Sequence, residues 1–114
     1  MNYTIIATKD FENQFKRLLK KYCSLRSDME IFKKELLDNP EIGDDLGNNT
    51  RKVRMAIASK NKGKSGGARV ITCTVLVDMA NADIYLLTIY DKGEQDSISS
   101  KDIELLKKSN GIRF

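Results

Sequence analysis

Histidine is absent from this 114-residue sequence, which contains only two cysteines and one proline. Without imidazole, any proton transfer would have to use Lys, Tyr, Asp or Glu, with Arg acting only as an electrostatic donor. The two cysteines, Cys23 and Cys73, are too few for a structural zinc site. They fall in different predicted elements, and a domain of this size does not need a disulfide. Histidine-based catalysis and a cysteine-bound zinc centre are thereby excluded.

Long hydrophobic runs are also missing. The longest apolar runs, such as Ile84–Leu87, have the length of a strand and are far too short to cross a membrane. Residues 1–10 contain neither a basic leader nor a long apolar segment, so we expect no secretory signal. Hydrophobic residues at 40% and charged residues at 32% are typical of a folded domain rather than a disordered chain. These features predict a single cytoplasmic domain over residues 1–114, with no membrane partner.

Acidic residues are absent from the middle of the chain, between Leu46 and Val77. The same stretch holds seven basic residues, namely Arg51, Lys52, Arg54, Lys60, Lys62, Lys64 and Arg69. The other 13 of the 20 basic residues are outnumbered by the 16 acidic ones, so the remainder sums to −3 while the whole chain carries +4. Positive charge gathered on one segment is typical of a site that binds a polyanion.

The spacing of apolar residues predicts an α+β domain with the element order β-α-α-β-β-β-α. Phe11, Phe15 and Leu18 recur at helical spacing after a first strand, and Thr8 or Asp10 can cap this helix. The predicted strands are Asn2–Ala7, Lys52–Ile57, Arg69–Val77 and Ile84–Tyr90. Short loops between the last three predict an antiparallel meander, on which the two N-terminal helices would lie.

The ends of the other helices have recognisable sequence signals. Ser27–Glu30 forms a capping box that predicts the start of the second helix near Ser27. Pro40 ends this helix, because the residue before a proline is pushed out of the α region. Ser99 or Ser100 is expected to cap a last helix, after which Gly111 is a stop signal.

A glycine-rich basic loop joins two of the predicted strands. Gly63, Lys64 and Ser65 resemble part of a P-loop, but that motif requires a glycine where Ala58 stands and a helix where a strand follows. A nucleoside triphosphate site is therefore rejected. The glycines would still allow a ligand to approach the backbone closely, with the lysines supplying positive charge. The alternative is a flexible hairpin tip whose lysines remain in water.

Four segments carry a family resemblance: Arg51–Arg54, Lys62–Thr72, Ile84–Leu87 and Tyr90–Lys92. With them the chain resembles the RelE/HigB-like toxins of bacterial toxin–antitoxin pairs, and GKSGGARVI is the most specific part. The resemblance implies a microbial-ribonuclease-like fold, in which two N-terminal helices pack on a curved antiparallel sheet. It also implies an endoribonuclease that cuts mRNA, commonly on the ribosome, until a cognate antitoxin protein inhibits it. No metal or small-molecule cofactor is expected.

The implied reaction can be assigned to residues of this chain. A base removes the ribose 2′-OH proton, the oxygen attacks the adjacent phosphate, and an acid protonates the leaving 5′-oxygen. Arg69 would stabilise the transition state, because its planar guanidinium matches phosphate. Lys64 and Lys92 are candidates for base or charge stabilisation, since a lysine crowded by cations loses its proton more readily. Tyr90 would serve as the acid or stack on a base. The residues expected to hold RNA phosphates are Lys52, Arg54, Lys60 and Lys62.

Other functions fit the same sequence. ParE-type toxins share the fold and poison DNA gyrase without cutting RNA, and a non-catalytic RNA- or protein-binding module is a further alternative. Tyr90 could be a packed aromatic residue and Lys92 a solvated turn lysine. Asp91 and Glu94 beside Lys92 would favour its protonated form. Many relatives also carry an aromatic residue shortly after the RVI segment, where this chain has Thr72–Thr74.

Overall fold

The computed structural model describes residues 1–113 and confirms the α+β class. Its helices are α1 (Lys9–Leu19), α2 (Leu25–Asp38) and α3 (Ser100–Ser109). Its strands are β1 (Asn2–Ala7), β2 (Asp44–Gly47), β3 (Thr50–Met55), β4 (Ala68–Leu76) and β5 (Asn81–Asp91). A single 3-10 turn at Ala58–Lys60 opens the loop between β3 and β4. Among these helices, none has both the length and the apolar character needed to span a membrane.

The sheet is mixed, which corrects the wholly antiparallel sheet that the resemblance implied, whereas the antiparallel meander expected for the last three predicted strands is present as β3, β4 and β5. Its five strands lie in the order β1-β5-β4-β3-β2, and β1 runs parallel to β5 while the other neighbours are antiparallel. Strands joined by short loops must reverse direction, whereas β1 and β5 are separated by most of the chain and can pair either way. The direction of β1 was therefore not determined by loop length.

The strand β2 corrects the predicted element order. All four of its residues are exposed, and its DDLG sequence lacks the apolar alternation that identifies strands. It pairs with β3 through a tight turn in which Asn48 and Asn49 have φ of 51° and 58°. Asparagine tolerates this left-handed region, and two such residues favour a two-residue hairpin turn. The turn, and not burial, therefore creates this edge strand.

The second helix begins two residues before its predicted start near Ser27. Helix α2 begins at Leu25, and the Ser27 hydroxyl donates to the Ser24 carbonyl instead of capping. Leu25 is fully buried, so packing of this side chain extends the helix beyond the local capping signal. At the other two helices, Thr8 and Ser99 accept hydrogen bonds from the backbone of Phe11 and Asp102, as two of the predicted caps require.

Apolar layers cover both faces of the sheet. The layer under α1 and α2 includes Leu18, Leu36, Val53 and Val70. The layer under α3 includes Ile71, Cys73, Leu87 and Ile103. Because successive strand residues point to opposite faces, Lys52 and Arg54 lie on the α3 side of β3. The sheet therefore directs these cations away from the two N-terminal helices.

Candidate functional site

Arg54, Arg69 and Tyr90 form one row across three neighbouring strands. Arg54 pairs with Arg69 between β3 and β4, and Arg69 pairs with Tyr90 between β4 and β5. Directly paired residues project from the same face, so all three side chains lie on the α3 side of the sheet. Arg54 is exposed, whereas Arg69 and Tyr90 are only 6% and 4% exposed. Two guanidinium groups and a phenol are thereby brought together.

The Arg69 guanidinium holds the beginning of β4 and the loop before it. Its Nη1 donates to the Lys64 and Ala68 carbonyls, each at 3.2 Å, and its Nη2 donates to the Ser65 carbonyl at 3.0 Å. Carbonyl oxygens are neutral, so these bonds orient the guanidinium without cancelling its charge. Arg69 is therefore a fixed positive charge as well as a structural support of the loop.

The Tyr90 hydroxyl is buried and has no hydrogen-bond partner in residues 1–113. Burial raises the pKa of this phenol, and the nearby positive charge of Arg69 lowers it by a smaller amount. A buried hydroxyl without a partner costs about 1–3 kcal/mol. The side chain is therefore a protonated donor whose hydrogen-bonding capacity is not used within the fold.

Lys64 and Lys92 each form an ion pair. The Lys64 Nζ lies 2.7 Å from Glu35 Oε2 on α2, and the Lys92 Nζ lies 3.1 Å from Asp96 Oδ1. Each ammonium thus has a carboxylate neighbour, which differs from the crowding by cations that was expected for a base. In this structure both ammonium groups are positioned as cations.

Lys60 lies in a buried network rather than on an exposed phosphate-binding surface. Its Nζ is 2.6 Å from Asp91 Oδ1, and the two side chains are 10% and 1% exposed. The Tyr22 hydroxyl and the Gly93 amide also donate to Asp91. Burial alone would raise the pKa of Asp91, but the bonds from Lys60, Tyr22 and Gly93 lower it to about 2. Lys60 therefore anchors the basic loop to β5.

Sequence reasoning did not identify Asp91 and Tyr22 as part of this region. Asp91 stands between Tyr90 and Lys92 and was considered only for its charge. Tyr22 follows α1 and reaches Asp91 from 69 positions away. No local spacing connects the two residues, although an acidic residue at the end of an apolar strand was a usable signal for Asp91.

The first residues of the loop are also attached to the start of α2, and Gly67 holds the last. Asp28 Oδ2 accepts from the Ala58 amide at 3.1 Å, and Ser24 Oγ accepts from the Ser59 amide at 2.9 Å. Gly67 lies so close to the neighbouring backbone that an added Cβ would be 2.1 Å from the Met55 carbonyl oxygen. The basic loop is thus fixed at both ends, in contrast to a freely flexible hairpin tip.

Three of the predicted phosphate contacts carry no internal ion pair. Lys52, Arg54 and Lys62 have neither a carboxylate partner nor a hydrogen bond from their side chains anywhere in residues 1–113. Arg54 and Lys62 are exposed, and Lys52 is partly exposed. We call these three residues, together with the buried guanidinium of Arg69, the basic surface. Such a group can hold phosphates in a fixed arrangement.

The basic surface therefore combines three exposed or partly exposed cations and the fixed Arg69 guanidinium with a buried phenol. It can neutralise a phosphodiester, and the Tyr90 hydroxyl, on the residue that pairs with Arg69, has an unused proton. A search of models of known protein families finds none that matches this chain. The function must accordingly be argued from the site itself.

Proposed function

We propose that this chain is the toxin component of a toxin–antitoxin pair, a RelE/HigB-like endoribonuclease that cuts mRNA on the ribosome in the cytoplasm. The observation that carries the proposal is the row of Arg54, Arg69 and Tyr90 beside the acid-free basic loop. Cleavage of RNA by its own 2′-oxygen requires stabilisation of a phosphorane-like transition state and a proton for the leaving oxygen. This row offers groups suited to both tasks.

In the proposed reaction, Arg69 stabilises the negative charge that develops on the phosphate oxygens. Tyr90 donates its proton to the departing 5′-oxygen, and its hydroxyl then gains the partner that the free protein lacks. Lys52, Arg54 and Lys62 bind neighbouring phosphates and hold the strand. Lys64 or Lys92 would take the 2′-OH proton, which requires the lysine to leave its carboxylate partner when RNA binds and to give its own proton to solvent before the reaction.

The proposed antitoxin covers the same surface. Because the basic surface is cationic and lies on a fixed loop, an acidic segment would be attracted to it by charge. A segment that is disordered before binding could follow the loop and the adjoining strand. Occupation of the basic surface by this segment would exclude RNA, which accounts for inhibition without a second site.

A second candidate is a non-catalytic RNA-binding module. Two observations favour it. The candidate bases Lys64 and Lys92 are ion-paired, and the hydroxyl of the candidate acid Tyr90 is buried. Such a module would use the same cations and leave the bound RNA intact. Binding and cleavage must therefore be measured separately.

The test compares wild type with Arg69→Ala, Tyr90→Phe and the control Arg26→Gln. Arg26 is an exposed cation on α2 outside the basic surface, so its replacement matches the charge change. After induced expression, new mRNA 5′ ends are mapped in each culture. We expect codon-phased ends with wild type and Arg26→Gln, and loss of at least 100-fold of cleavage in the other two.

The outcomes separate the alternatives. Growth arrest without new 5′ ends, together with inhibited gyrase supercoiling, would favour a ParE-type poison. Binding of RNA without cleavage would favour the non-catalytic module. Because Arg69 supports the loop, the thermal transition of each purified variant is recorded, and Tyr90→Phe provides a substitution that leaves these loop contacts in place.

A further inference from the structure

A second group of cations surrounds a cavity at the C-terminal end of α3. The cavity has a volume of about 520 Å³ and is lined by Asn48, Glu104, Lys107, Lys108, Ile112 and Arg113. It holds three basic residues and one carboxylate, and that carboxylate is already 3.3 Å from Lys107. The cavity therefore has an excess of positive charge, and its basic residues lie outside the acid-free stretch that predicted binding of a polyanion.

The cations of this cavity are held by the fold. Lys107 is only 3% exposed. Gly111, with φ of 72°, reverses the chain after α3, and the Ile112 amide donates to the Lys107 carbonyl at 2.9 Å. Ile112 is buried under α3, which positions Arg113 at the cavity. Lys108 and Arg113 are exposed and form no ion pair within the described residues.

The cavity lies on the same face of the sheet as the basic surface. Cys73 is on the α3 side, where burial raises the pKa of its thiol and the Lys107 charge lowers it by a smaller amount. Cys73 pairs with Thr50, and Lys52 and Arg54 follow Thr50 at two-residue steps on that face. Four residues of strand span about 13 Å, at about 3.3 Å per residue. Lys52 thus lies between the cavity and Arg54.

A simpler role for these cations would be to balance the negative end of α3. Basic residues in the last turn of a helix are favourable for this reason. Lys107 suffices for that role, since its ammonium is buried beside the helix and paired with Glu104. Arg113 lies beyond the helix, and Lys108 has no partner within the described residues. Both line a cavity large enough for a phosphate group and part of its sugar.

We infer that this cavity is a second phosphate subsite, which holds single-stranded RNA extending past the basic surface toward the end of α3. The inference rests on the proposed RNA-binding function and deepens it. Lys108 and Arg113 contact a phosphate in the cavity, Lys52 contacts one between the two sites, and Arg69 holds the phosphate that is cut. The contacts involve the RNA backbone only, so they are independent of base sequence.

The experiment measures binding of labelled single-stranded RNAs of about 4 and about 12 nucleotides, lengths within the usual range of single-strand sites. Each RNA is titrated at several salt concentrations with wild type, the double variant Lys108→Gln/Arg113→Gln, and the control Lys101→Gln. Lys101 is an exposed cation in the first turn of the same helix. Lys107 is left unchanged because it is buried.

We expect the double variant to bind the long RNA about tenfold more weakly and to lose about 1.4 from the salt slope, as two lost phosphate contacts predict. Binding of the short RNA should be unchanged, and Lys101→Gln should match wild type with both RNAs. Equal weakening of both RNAs, or no weakening of the long one, would overturn the subsite. If the double variant shows the length-dependent loss but wild type produces no new mRNA 5′ ends in the induced cultures, the proposed cleavage fails while the subsite stands.

Discussion

The Lys60 ammonium and the Asp91 carboxylate are joined at 2.6 Å, which connects the basic loop to the last residue of β5. Both side chains are almost completely buried. Removing one member of a buried ion pair leaves the other charge without compensation, which typically costs about 3–5 kcal/mol. The pair is therefore central to the position of the loop.

We predict that Asp91→Ala lowers the free energy of unfolding by about 3 kcal/mol, because Lys60 and Tyr22 lose their common acceptor. Urea unfolding monitored by circular dichroism measures this change. Asp38→Ala replaces an exposed carboxylate on α2 and should change stability by less than about 0.5 kcal/mol. A loss below about 1 kcal/mol for Asp91→Ala would contradict the anchoring role.

The same carboxylate predicts a dependence of stability on pH. The pKa of Asp91 is about 2 in the folded protein, below the ordinary value of about 3.9 expected when unfolded. Its contribution is therefore complete above pH ~4 and disappears as the pH falls toward 2, amounting to about 2 kcal/mol. Unfolding of wild type and Asp91→Asn at several pH values measures the difference between them. A difference that does not shrink between pH 4 and pH 2 would argue against this assignment.

Two glycines of the basic loop should respond differently to substitution. Gly67→Ala introduces a Cβ that meets the backbone of Met55, Ala56 and Ile57, so strand β3 or β4 must shift. We expect a loss of at least about 2 kcal/mol in urea unfolding. Gly63 has φ of 62° and open space around it, and Gly63→Asn should cost less than about 1 kcal/mol. Equal effects at the two positions would contradict the fixed arrangement of the loop.

Tyr90→Phe tests the buried hydroxyl. Removal of an unsatisfied buried polar group should raise the free energy of unfolding by up to about 1 kcal/mol. If Tyr90 donates the proton to the leaving oxygen, RNA cleavage should fall at least about 100-fold while RNA affinity is retained. Thermal unfolding, RNA titration and a cleavage assay on one preparation measure the stability, the RNA affinity and the cleavage rate of the variant. Undiminished cleavage would remove Tyr90 from the reaction.

Several features of the fold followed directly from local sequence patterns. Alternation of Val53 and Met55 with Lys52 and Arg54 correctly separated the buried side of β3 from its cationic side. Thr8 and Ser99 cap helices because a side-chain oxygen near a helix start has only local backbone donors to satisfy. The acid-free stretch between Leu46 and Val77 likewise contains all four residues of the basic surface. Such features depend on neighbours within a few residues, which the sequence specifies.

Tertiary structure alone decided which cations are available. Lys60, Lys62 and Lys64 look equivalent in the sequence, yet Lys60 is buried against Asp91 and Lys64 is paired with Glu35. These partners are 31 and 29 positions away, so no local periodicity relates them. The parallel pairing of β1 with β5 and the cavity at the end of α3 arise in the same way. The sequence by itself determined the amount of positive charge and the face of β3 that carries it. Long-range packing determined which of these charges remain free to bind a ligand, because a buried ion pair forms only when segments distant in the sequence pack together and exclude water.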